Sequence, residues 1–150
     1  STNKFETLTQ SFFQKNSNLY EKFLLVSIDP SEQFAYPVSW SDNIIPRSKS
    51  VDPIALGEAS IFKIVASSIK PYHGHVILNE INEKFFDFWN QGEVAANVTI
   101  IPLIVSNKII GMIMGLGVAS CYNWNVLHSL EHQGEEFLSA LAHFFEEKSA

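Results

Sequence analysis

The chain is short of cysteine, arginine and long apolar runs, and each shortage removes a class of function. Cys121 is the only cysteine among 150 residues, so no internal disulfide can form, and a reduced, cytoplasmic setting is the simpler expectation. Arg47 is the only arginine and the formal charge is −6. That balance opposes a phosphate backbone, so nucleic acid is not an expected partner, and no pair of guanidinium groups exists to grip clustered phosphates. The longest apolar run, Val98 to Val105, contains Pro102 and falls far short of the roughly 20 residues that span a bilayer. Neither a membrane span nor a signal peptide is expected. No G-x-x-x-x-G-K-[ST], G-x-G-x-x-G or G-x-S-x-G stretch occurs, which leaves neither a phosphate loop nor a nucleophile elbow.

What is present suits a packed domain. Of the residues, 46% are hydrophobic, enough at this length to build one core, and no Pro/Gly/Ser-rich tract or charge block divides the chain. A single domain over 1–150 is expected. It begins with Ser rather than Met, so it is expected to be a processed chain or a piece of a longer regulator.

Periodicity gives the elements. Phe5, Leu8 and Phe12 predict a helix over 3–15, and Phe23–Ile28 and Gln33–Trp40 predict an antiparallel hairpin around Asp29-Pro30. Residues 41–56, with Pro46 and Pro53, read as a loop. Ile61, Ile64, Val65 and Ile69 predict a second helix over 57–69 that ends before Pro71, and a short strand is expected near His75–Leu78. Asn79 can cap a third helix whose apolar face holds Ile81, Phe85, Phe88 and Trp89, ended by Gly92. Val98–Val105 and Lys108–Gly117, joined by Ser106-Asn107, form the clearest hairpin and the expected centre of a sheet, and 124–147 reads as a long closing helix. Hairpin, helices, hairpin is an order that favours an antiparallel α+β sheet over a βαβ repeat.

In this order the residues resemble the GAF family. The most specific part is Val98-Thr99-Ile100-Ile101-Pro102-Leu103, a turn, and Lys108-Ile109-Ile110-Gly111-Met112-Ile113. The stretch Ser60-Ile61-Phe62 through Lys70-Pro71-Tyr72-His73-Gly74-His75 is similar to GAF-like modules of bacterial, including deltaproteobacterial, regulators. The resemblance implies a central antiparallel sheet of about six strands, with terminal helices on one face and connecting elements, often around a small-molecule pocket, on the other. Many members have no known ligand and act as dimerising or protein-binding units. The likeness sets an expectation of sensing without naming what is sensed.

Motifs that could carry chemistry read as ordinary structure. His128-Ser129-Leu130-Glu131-His132 matches H-x-x-E-H, a zinc-peptidase pattern, but His128 and His132 point away from the apolar face, and only residues 133–150 follow to supply a third ligand. No metal and no catalytic residue is assigned. Asn82-Glu83-Lys84-Phe85-Phe86-Asp87 has letters in common with the cyclic-nucleotide signature of GAF domains but not its spacing, and Cys121 is followed by Tyr122 rather than the His of bilin-attachment sites. Gly115-Leu116-Gly117 is too short for a phosphate loop and suits the end of a central strand.

Two sets of residues remain as candidates. Tyr72, His73 and His75, with Phe86 and Trp89 of the third helix, could line an aromatic pocket for a small planar or apolar ligand. The closing helix carries a stripe of Leu127, Leu130, Gly134, Phe137, Leu141 and Phe144. Beyond it, Leu138 and Phe145 with Phe5, Leu8 and Phe12 are left over for a homodimer contact. The expected function is a non-catalytic sensory or regulatory module without a cofactor, signalling through its terminal helices. The alternative is a ligand-free dimerisation or protein-docking scaffold, and a small metal-dependent hydrolase ranks last.

Overall fold

The computed structural model describes residues 2–17, 20, 22–41, 53–57, 60–75, 97–117 and 139. Helix α1 (Thr2–Lys15) turns Phe12 and Phe13 inward on adjacent positions. It stops at Asn16, whose side-chain amide and backbone N–H both donate to the carbonyl of Phe12, at 2.9 and 3.3 Å. A side chain that satisfies one of the last helical carbonyls competes with continuation of the helix.

Strand β1 (Lys22–Ile28) is apolar and almost wholly buried, because both faces of the sheet are covered there. It turns into β2 (Phe34–Trp40) through an Asp29-centred loop. The Asp29 carboxylate accepts hydrogen bonds from the Ser31 hydroxyl and from the backbone N–H groups of Ser31, Gln33 and Phe34. Its slight burial pushes the pKa up, but these hydrogen bonds outweigh it and hold the carboxyl below its ordinary value. Glu32 takes the left-handed conformation, φ 58°.

The sequence-predicted loop over 41–56 contains β3 (Ile54–Ala55), which pairs with Phe34 and Ala35. Two residues are too few to show a period. Helix α2 (Ser60–Ser68) starts later than expected, Gly57 lying in the preceding turn, and closes with Ile69 at φ 55°. A strand, β4 (Tyr72–His75), includes the first residue of the stretch expected near His75–Leu78, whose other residues lie outside the described ones. Pro71 forces the chain out of the helix, and β4 then pairs with β5 (Asn97–Val105), Tyr72 opposite Ile100 and His75 opposite Asn97. Strand β6 (Lys108–Gly117) follows the two-residue turn predicted at Ser106-Asn107, with φ of 52° and 63°. Positive φ at both positions is the turn that matches strand twist. Exchanging these two exposed residues for Asn-Gly, the pair that suits such a turn best, is expected to stabilise the chain by about 1 kcal/mol. A rise in the urea midpoint without a change in slope is the check.

All six strands lie in one antiparallel sheet, ordered β3-β2-β1-β6-β5-β4. The final hairpin thus brings β6 to the centre, as its apolar run implied. Alternation sends two sets of side chains to opposite faces. Leu24, Val26, Ile100, Met112 and Met114 meet Phe62 and Val65 of α2. Phe23, Leu25, Ile101, Leu103 and Ile113 meet Phe12 and Phe13 of α1. The ladder between β5 and β6 shifts register at Leu103/Ile104, and Pro102 sits opposite Met112, beyond the last β4 pairing of Tyr72 with Ile100. The helices predicted over 79–92 and 124–147 lie outside the described residues.

Candidate functional site

β4 is where the two faces come together on adjacent residues. Tyr72 packs against the core on the α2 side. His73 is buried on the other side, where its Nδ1 lies 2.6 Å from the Thr99 hydroxyl. Thr99 occupies the register position opposite His73 on β5. The Thr99 hydroxyl also lies 2.6 Å from the Tyr20 hydroxyl. A chain of two short hydrogen bonds therefore runs from β4 through β5 to the segment that links α1 to β1, and its three members are only 7, 2 and 2% exposed, for His73, Thr99 and Tyr20. Polar groups this deeply buried hold one geometry, because each lost partner leaves a desolvated atom unsatisfied.

A glycine makes the chain possible. Gly115 of β6 lies opposite both Thr99 and Phe23, and a Cβ there would stand 2.8 Å from Cγ and Cδ1 of Tyr20. The ring lies directly over the bare glycine backbone, and it meets Phe23 edge-on, centroids 5.6 Å apart at 69°. The space beside it, floored by Gly115 and Thr99, is about 10 Å³, the size of one water probe at most. No substrate fits there.

Burial lowers the pKa of His73 below the ordinary histidine value by penalising the charged ring. The sign for stability follows. As pH falls below about 6.5 the unfolded chain takes up this proton first, so stability present above that value is lost as pH drops toward the folded pKa. Melting temperatures across this range should therefore fall less steeply for His73→Asn than for the parent.

A second polar group ties α1 to β2. Gln10 donates to Glu6, to the Ser39 hydroxyl and to the Trp40 carbonyl at 3.2, 3.3 and 3.1 Å, and the Ser39 hydroxyl donates to Glu6 at 3.0 Å. Glu6, Ser39 and Trp40, together with Val38, border an open groove of about 220 Å³.

Of the pocket residues proposed from sequence, Tyr72 and His73 are thus parted by the sheet, and the backbone of His75 pairs with Asn97. Phe86 and Trp89 lie outside the described residues. Of the dimer candidates, Leu8 is exposed, Phe12 is buried among the chain's own aromatics, and Leu138 and Phe145 lie outside the described residues, as does the His128–His132 stretch. Phe5 falls within α1. Among the described residues no group of three metal-ligating side chains converges, and no helix is long and apolar enough to cross a membrane. Neither Tyr20 nor Thr99 is among the site residues expected from the sequence. The available signals were a lone threonine inside an apolar strand and a glycine opposite it.

Solved structures match this architecture over almost the entire chain. The GAF domain of a phosphoenolpyruvate-protein phosphotransferase from Coxiella burnetii superposes with a TM-score of 0.72, at 11% identity, covering 99% of this chain and 97% of that one. A GAF domain/HD domain protein from Geobacter sulfurreducens gives 0.71 at 10% identity over 95% and 94%. The fold is the GAF fold. A type II free methionine-R-sulfoxide reductase from Thermoplasma acidophilum gives 0.69 at 11% identity over 96% of each chain, so the GAF fold houses an enzyme as well as domains of larger proteins. No protein-family model matches the sequence, and no curated protein does. At this identity the GAF likeness resides in backbone arrangement, and the Tyr20–Thr99–His73 chain has to be read from this molecule's own side chains.

Proposed function

We propose that the chain is a non-catalytic GAF-type sensory or regulatory module that responds on the α2 side of its sheet, in the neighbourhood of Tyr72, and reports through its terminal helices. The observation that carries this reading is the placement of β4. One strand presents Tyr72 to the α2-side core and, on the next residue, joins the hydrogen-bond chain that ends beside α1. The GAF neighbours from the phosphotransferase and the HD-domain protein lend support, since in each the GAF domain is named as part of a protein with another domain or activity. The ligand class proposed is small and planar or apolar, with Tyr72, Phe86 and Trp89 as aromatic walls.

A ligand-free docking or dimerising scaffold is the second reading. It is favoured by the filled described core under α2, where Leu56, Phe62, Met112 and Met114 are fully buried. Mass spectrometry of natively purified protein and a thermal-shift screen separate the two. The sensory reading expects a retained or shifting small molecule whose effect Trp89→Ala weakens. No retained mass and no shift from any compound class, in a protein that light scattering finds dimeric, would replace it with the scaffold.

A further inference from the structure

We propose that the Tyr20–Thr99–His73 chain is a coupling device that transmits changes at β4 to the junction between α1 and β1, a proposal that rests on the regulatory reading above and names its internal route. Three observations carry it. The chain continues past Tyr20: the Tyr20 backbone N–H donates to the Asn16 carbonyl at 3.2 Å, and the Asn16 side chain in turn caps α1 at the Phe12 carbonyl. A displaced Tyr20 therefore pulls on the last turn of the helix. Next, the Tyr20 ring cannot yield toward the sheet, because it already rests on Gly115 where even a methyl group has no room. Motion entering at Thr99 is passed along rather than absorbed. Finally, β4 pairs among the described residues only with β5, so a change in packing around Tyr72 acts directly on the strand that carries His73.

The chain is also directional. Thr99 has one hydroxyl hydrogen to share between two neighbours. With the His73 ring neutral and Nδ1 bare, Thr99 donates to His73 and accepts from Tyr20. A proton added at Nδ1 makes that nitrogen a donor. Thr99 must then accept from His73 and turn its own hydrogen away from that ring, which frees it to donate to the Tyr20 oxygen and reverse the chain.

Protonation of His73 is therefore a perturbation at β4 that needs no ligand, so failure of the coupling is distinguishable from failure of the sensory reading. Among ionisable groups near this face, Glu6 is held by Ser39 and Gln10 over β2, toward the opposite edge of the sheet from β4, and Lys15 and Lys108 are exposed at an element end. His73→Asn is the control that ties any response to this ring.

Solution NMR of the 150-residue chain from about pH 8 to about pH 4.5 tests the proposal. The backbone amides of Ser17 and Tyr20 should shift with the midpoint of the His73 ring, and that response should vanish in His73→Asn. Thr99→Val should cut it at least about threefold while the His73 ring still titrates, and Thr99→Ser, which keeps the hydroxyl, should restore it. Should Thr99→Val fail to fold, Tyr20→Phe severs the same chain. Junction amides that ignore the His73 midpoint in the parent, that respond unchanged in Thr99→Val or Tyr20→Phe, or that still respond in His73→Asn, overturn the coupling.

Discussion

Phe12→Glu is expected to unfold much of the chain, not to probe an interface. Phe12 is 7% exposed and meets Phe13 and Phe23 edge-on at centroid distances of 6.5 and 6.2 Å, while Phe13 and Phe23 stack at 5.1 Å. Removing a buried phenyl ring costs about 3–5 kcal/mol, and a carboxylate left among aromatics adds its own desolvation. Against a total stability of about 5–15 kcal/mol, thermal melts should show a fall of at least about 10 °C or no folded baseline at all. Leu8, on the same helix and 36% exposed, is the position where a charge leaves the core intact. Light scattering on Leu8→Glu, set beside a Phe12→Glu control that has lost its fold, therefore addresses the proposed homodimer cleanly. A folded, unchanged Phe12→Glu protein would mean that α1 does not pack on the sheet as described.

Gly115→Ala should be nearly as damaging for so small a change. The new methyl group would lie 2.8 Å from two ring carbons of Tyr20 and 3.2 Å from a third, closer than carbon atoms tolerate, and the ring is hemmed in by Phe23. Overpacking of this kind costs about 1–3 kcal/mol, and a tilted ring takes its hydroxyl away from Thr99, leaving two buried oxygens short of a partner at about 1 kcal/mol or more. A loss of about 3 kcal/mol is expected from denaturant midpoints. The cause is checked by repeating the change in a Tyr20→Ala background, where the methyl group fills vacated space. The two substitutions should then be strongly non-additive, and plain additivity would show that the close approach of ring and glycine is not what Gly115 is for.

Both effects illustrate what was legible beforehand and what was not. Local rules sufficed for α1, for the hairpin of β1 and β2 and for that of β5 and β6, because each rests on spacing within a short window: threes and fours in the helix, Asp29-Pro30 and Ser106-Asn107 at the turns. They missed β3, whose two residues carry no period, and did not carry the strand at His75 back to Tyr72, where pairing with Ile100 of β5 holds it. They also grouped Tyr72 with His73 by nearness in sequence, whereas an extended backbone sends neighbours to opposite faces. The Tyr20–Thr99 contact spans 79 positions, and no window reaches that far. Its traces were Thr99, a lone polar residue in an apolar strand, and Gly115, whose use depends on what lies above it.

Pro102 has a consequence for how far a neighbouring strand can follow β5. The ladder with β4 reaches Tyr72 opposite Ile100, and two residues further along β5 stands a buried proline with no N–H to offer and a ring in the way. The residue that interrupts the most apolar stretch of the sequence thus marks where the pairing of β4 has to stop, while β6 goes on pairing along the other side of the same strand.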